Sequence, residues 1–150
     1  MTRRVLAIAS GGGHWVQLRR TMPAFEGCDV AFVSVYADYA QDVPGFRFYD
    51  VPDMTRMNLP KLAVLGPKLA RILLKERPQV VVTTGSAPGL ICLALAKLLL
   101  GARTIWIDSI ANVERMSSSG RQARRFADVW LTQWPHLAGP GGPEHWGAVL

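Results

Sequence analysis

Val5 to Arg20 reads VLAIASGGGHWVQLRR. Val5–Ala9 is a short continuous apolar run, the pattern of a strand buried on both faces. Three glycines follow at 11–13, and His14 opens a helical stretch that runs to about Met22 and ends at Pro23. Ordering three glycines costs backbone entropy, so the triplet marks a sharp turn or a place where something approaches the main chain closely.

The same alternation continues outward from this unit. Val30–Val35 reads as a second strand and Phe46–Val51 as a short third one. Leu59–Lys75 reads as helical, with Gly66-Pro67 as a kink or a fresh start. Val80–Thr84 is β-branched strand, and Pro88–Leu100 is an apolar helix with proline in its first turn. Arg103–Ile107 is a strand, Gly120–Phe126 a last helix and Val129–Thr132 a final strand. Alternating strands and helices predict an α/β fold: a doubly wound, mostly parallel, Rossmann-like sheet. The reading is one domain over residues 1–150, with 135–150 a Pro/Gly-rich tail.

At 49% hydrophobic and 19% charged residues, the 150-residue chain has the apolar content to bury a core. Lys and Arg exceed Asp and Glu by 17 to 11, a formal +6 that suits phosphates or an anionic membrane. No recognition-helix or zinc-ligand pattern accompanies the charge, which argues against nucleic acid. Cys28 and Cys92 stand far apart in apolar contexts and are expected to be buried thiols; no metal site is expected. Arg3 and Arg4 lead into only five apolar residues before Ser10, too few for a secretory leader. No apolar run reaches the ~18–20 residues of a membrane span. The expected location is cytoplasmic.

Ligands of such sheets bind where the strands end, which selects the loops. Ser10, Gly11, Gly12 and Gly13 offer bare amides at a helix start, a setting for phosphate. The dinucleotide fingerprint fails because Val16 takes the place of its third glycine. His14 is either a helix-opening residue or a catalytic group. Thr84, Gly85 and Ser86 repeat the arrangement, with Ser86 as either a cap or a ligand contact. In the third loop Asp108 is either a catalytic carboxylate or the cap of a turn. Ser119 and Gln122 fit a capping box. Arg121, Arg124 and Arg125 face phosphates or simply water. Lys61, Lys68, Arg71 and Lys75 give the helix over 59–75 a basic side beside Leu59, Leu62, Leu65, Leu69, Ile72 and Leu73, the pattern of a core-facing crossover or of a helix lying on a membrane.

Three stretches together, SGGGHWVQL, TTGSAPG and IDSIANVERMSSSGRQARRFADVWLTQWPHL, resemble the Alg14 family, including bacterial exopolysaccharide and capsule proteins of the PssD/CpsF type. The first also resembles the glycine loop and histidine in the lipid-acceptor half of MurG-like glycosyltransferases. The resemblance implies the N-terminal, acceptor-side half of a GT-B glycosyltransferase, inverting, and without turnover on its own. A separate Alg13- or PssE-like subunit would bind the UDP-sugar, so no cofactor is expected on this chain. The implied acceptor is a polyprenyl-diphosphate-linked sugar at the inner face of the membrane, in exopolysaccharide, capsule or lipid-linked oligosaccharide synthesis.

In that picture His14 is the candidate base, and Asp108 is the competing base or the residue that orients His14. Ser10 to Gly13 and Thr84 to Ser86 would hold the diphosphate. Ser109, Asn112, Arg115, Ser119 and Arg121 are candidate acceptor or phosphate contacts. Gln133, Trp134 and Trp146 would dock the partner. The alternative is a non-catalytic scaffold that recruits the partner enzyme to the membrane.

Overall fold

The computed structural model describes residues 2–54 and 58–149. Seven strands form one sheet: β1 (Arg4–Ile8), β2 (Asp29–Ser34), β3 (Arg47–Asp50), β4 (Val80–Thr83), β5 (Arg103–Ile107), β6 (Val129–Thr132) and β7 (Glu144–His145). Their order is β3-β2-β1-β4-β5-β6-β7, and every neighbouring pair is parallel. The first six strands therefore follow the doubly wound dinucleotide-fold order, with its switch point between β1 and β4.

Four helices complete the crossovers: α1 (Gly13–Arg20), α2 (Leu59–Glu76), α3 (Ala87–Leu100) and α4 (Ser118–Ala123). Side chains alternate along each strand, so β1 serves two cores. Leu6 and Ile8 pack with Leu65, Leu69 and Leu73 of α2 and Cys92 and Ala96 of α3. Val5 and Ala7 face the opposite way, onto Trp15 and Leu18 of α1 and Phe32 of β2. Leu90 and Leu93 of α3 meet Trp106, Met116 and Ala123 in a third cluster. Cys92 is buried, and its thiol is pushed up to about 12 by desolvation; Cys28 is only half-buried.

Three local readings change. Gly66-Pro67 does not start a fresh helix, since one helix runs through it. Pro67 lacks an N–H for the Ala63 carbonyl, but both residues are exposed, so water can replace that bond. Ser117, not Ser119, caps α4, its Oγ accepting from the Gly120 amide at 2.9 Å. The tail is no bare linker: it makes a 3₁₀ turn at Pro135–Leu137 and then β7, which extends the sheet.

One ion-pair cluster ties the β3 edge to α2. Arg47 of β3 bridges Asp29 of β2 and Glu76 at the end of α2, and Tyr49 donates to Glu76 as well. Burial disfavours the charged Glu76, but hydrogen bonds from Arg47 and Tyr49 outweigh it and hold the carboxyl below its ordinary value. A depressed carboxyl stabilises the fold above its unfolded pKa, and the gain disappears as pH falls through the lower folded value. Stability is therefore expected to decline below roughly pH 4. Glu76→Gln should cost ~1 kcal/mol at neutral pH, because Arg47 is half in water, and the cost should shrink in acid. Urea titrations at both pH values measure this.

Candidate functional site

Parallel strands bring the loops after β1, β4, β5 and β6 to one edge. The first two meet across the switch point through four contacts. The Ser10 amide donates to the Gly85 carbonyl at 3.0 Å. Thr84 Oγ1 donates to the His14 carbonyl at 2.6 Å. In return, His14 Nδ1 lies 2.9 Å from the Thr84 carbonyl oxygen. A carbonyl only accepts, so Nδ1 carries the hydrogen, and in the neutral ring Nε2 keeps the lone pair. The fourth contact is steric. A Cβ at Gly85 would stand 2.8 Å from both Cε1 and Nδ1 of His14, and Gly85 has φ +113°.

The α1 side is equally fixed. Trp15, beside His14, is buried; it stacks on Tyr39 with ring centroids 4.9 Å apart and donates Nε1 to Asp42 at 2.9 Å. The Gly12 amide donates to the Tyr39 hydroxyl at 3.0 Å, and a Cβ at Gly11 would come within 2.5 Å of Tyr36. Gly12, the residue before α1, has φ +67°.

These contacts narrow the predicted diphosphate set. The amides of Ser10, Gly12 and Gly85 are engaged inside the protein, the last with Thr83 Oγ1 at 3.1 Å, and Ser10 and Thr84 are buried. The amides that start α1, at Gly13 and His14, have no acceptor within their own helix. Ser86 precedes α3, but its side chain makes no cap bond.

A cavity of about 230 Å³ opens at this junction. His14, Gly85 and Ser86 form one wall; Ser109, Ala111, Asn112, Ser117, Ser118 and Ser119 form the other. Ser109, Asn112 and Ser119 thus line the same cavity as His14. Arg115 is exposed and outside this lining, and Arg121 belongs to a neighbouring cavity.

Of the two readings of Asp108, the contacts match the turn-capping one. The residue is 2% exposed. Its Oδ1 accepts from Trp106 Nε1 at 3.1 Å and Ser117 Oγ at 2.6 Å. Its Oδ2 accepts from Asn112 Nδ2 at 3.1 Å and the Ser117 amide at 2.9 Å. The carboxylate holds the 108–117 loop closed and makes no hydrogen bond to His14; the Thr84 carbonyl orients the imidazole instead. A Cβ at Gly120 would fall 2.4 Å from Asp108 Oδ1, so that residue must be glycine.

The sequence reading missed Gln17. It lies one turn after His14 on the buried side of α1. Its Nε2 donates to Ser109 Oγ at 3.2 Å, and its Oε1 accepts from the Ile110 amide at 3.2 Å and Gln133 Nε2 at 2.6 Å. A polar residue at i+3 from the histidine was the available signal. Gln133, expected at a partner surface, is buried, also donates to the Asp108 carbonyl and accepts from the Val149 amide. Trp134 is half-buried and donates Nε1 to the Ile110 carbonyl at 2.7 Å. Trp146 is exposed.

Residues 62–149 match a family model described as "Oligosaccharide biosynthesis protein Alg14 like". The chain is 25% identical to the UDP-N-acetylglucosamine transferase subunit ALG14 of Yarrowia lipolytica over 90% of its length, covering 75% of that protein. It is 36% identical to the Eremothecium gossypii protein of the same name, over 46% of this chain and 33% of that one. Among solved structures, Acinetobacter baumannii MurG shares the fold with a TM-score of 0.74 at 16% identity, over 94% of this chain and 44% of MurG. UDP-N-acetylglucosamine 2-epimerase from Rickettsia bellii follows with a TM-score of 0.67 at 15% identity, over 91% of this chain and 40% of the other. The chain thus spans less than half of either solved relative.

Asp108→Asn should cost about 3 kcal/mol, because an amide turns N–H groups toward bound donors. His14→Ala should cost ~1 kcal/mol, the worth of one half-exposed hydrogen bond. Urea denaturation of the two variants tests this division between a structural carboxylate and an expendable imidazole.

Proposed function

This chain belongs to the Alg14 family, and from that premise we propose that it is the acceptor-binding subunit of a two-part GT-B glycosyltransferase. A partner subunit would carry the UDP-sugar to the edge where β1, β4 and β5 end. The acceptor, a sugar on polyprenyl diphosphate, would place one hydroxyl beside His14. As that oxygen attacks the anomeric carbon, Nε2 takes its proton and UDP leaves with the bonding electrons, inverting the centre. The first-turn amides of α1 and the start of α3 direct positive helix ends toward the diphosphate.

The observation that carries this reading is the His14–Thr84 pair. It fixes the tautomer, frees Nε2 and leaves the ring on the wall of a cavity at the fold's ligand-binding edge. The name borne by the yeast relatives makes UDP-N-acetylglucosamine the first donor to test. In the complex co-purified with its partner, His14→Ala should lower kcat by ~10²–10⁴ and leave assembly intact. Unchanged turnover would remove the histidine from the mechanism and favour the scaffold reading.

Membrane contact would come from the outer side of α2. Among the described residues no helix is long and apolar enough to cross a bilayer. Of the six apolar residues the sequence singled out on this helix, only Leu59 is exposed, at 78%; the others turn inward to different degrees. Val64 and Leu74 join it outside, beside exposed Lys61, Lys68, Arg71 and Lys75. Exposed apolar side chains interspersed with basic ones suit the inner leaflet. The Leu59→Ser, Val64→Ser double variant should bind vesicles containing phosphatidylglycerol roughly tenfold more weakly in flotation assays.

A further inference from the structure

Beside the His14 cavity lies a second one of about 390 Å³, lined by Leu90, Ser118, Arg121, Gln122, Arg125 and Phe126. Ser118 lines both cavities, so they share a wall. The lining of the second holds two guanidiniums, a hydroxyl and an amide, and no carboxylate. Arg121 of α4 and Arg125, two residues past its end, both line this cavity.

Among the described residues neither arginine takes part in an ion pair; Asp29, Asp42, Glu76 and Asp128 are paired with Arg47, Arg19 or Lys97. Arg121 is partly oriented already, since one of its Nη atoms donates to the Met116 carbonyl at 3.2 Å. Leu90 and Phe126 supply an apolar wall. Planar guanidinium forks match the geometry of phosphate and carboxylate oxygens.

The neighbouring glycine loops leave this chemistry undersupplied. They bring no cation, and three of their amides are already engaged. A doubly charged group needs positive charge close at hand, and these two arginines, outside any ion pair among the described residues, line the adjoining cavity.

We propose that Arg121 and Arg125 form a subsite for an oxyanion group of the acceptor, adjoining the His14 cavity across Ser118. The subsite rests on the reading that the acceptor occupies that cavity. The group is either the diphosphate or a carboxylate on the acceptor sugar itself.

Titrating the full chain at low salt with inorganic pyrophosphate, and separately with glucuronate, decides the matter through amide chemical shifts. The Arg121→Gln, Arg125→Gln double variant should weaken binding roughly tenfold or more. An Arg3→Gln, Arg103→Gln control removes equal charge at the opposite sheet edge and should change it less than about twofold. Arg125→Gln alone, outside α4, carries the test if the double variant loses its circular dichroism. A pyrophosphate response assigns the subsite to the diphosphate, and a glucuronate response assigns it to the sugar. Binding of neither probe, or equal weakening by both double variants, overturns the proposal. If His14→Ala still abolishes turnover in that case, only the subsite falls; if it does not but the arginine contrast holds, only the base role falls.

Discussion

The geometry of the candidate site depends on one reciprocal contact at the switch point. His14 gives its ring hydrogen to the Thr84 carbonyl, and Thr84 gives its hydroxyl hydrogen to the His14 carbonyl. Neither residue could reach the other without the parallel pairing of β1 with β4, which brings Ile8 opposite Thr83. Local chain geometry then finishes the job. Glycine is required at 85 because φ is +113° and an imidazole occupies the space a Cβ would need; at 11 a Cβ would have to push the ring of exposed Tyr36 aside. The glycines thus serve the packing of the protein on itself more than the sequence alone suggested. What remains open to a ligand is a narrower set of amides and one oriented ring.

The opposite wall of the cavity is organised by a buried carboxylate and two glutamines. Asp108 gathers three donors from one loop and a fourth from Trp106 of β5, which offsets the cost of burying its charge. Gln17 and Gln133 couple that loop to α1 and to the end of β6. No buried side-chain polar atom lacks a hydrogen-bond partner among the described residues. A fully satisfied network of this kind specifies one arrangement, because each partial rearrangement strands a donor or an acceptor. It can therefore keep a cavity open beside His14 without help from a ligand.

Much of the fold was legible in the sequence. Val80–Thr84, observed as β4 over Val80–Thr83, and Arg103–Ile107 read directly from β-branched and apolar runs, and the loops that follow them mark the ligand edge. The parts that were not legible depend on contacts distant in sequence. Ser117 beat Ser119 to the cap of α4 because it also reaches Asp108, nine residues back. The continuity of α2 through Pro67 depends on which way Ala63 faces. β7 is only two residues, Glu144 and His145, in a Pro- and Gly-rich stretch, and pairs because β6 offers an edge. Asp108 looked catalytic for the reason that makes it structural: an acid at a strand end attracts donors, and only coordinates show whose they are.

The close fit of Gly85 against the His14 ring carries an evolutionary consequence. The constraint runs one way: position 14 can lose its imidazole while 85 stays glycine, but a side chain at 85 meets both the ring and a positive-φ backbone. Descendants that abandoned the chemistry while keeping the architecture would therefore be marked by replacement at 14 with glycine retained at 85.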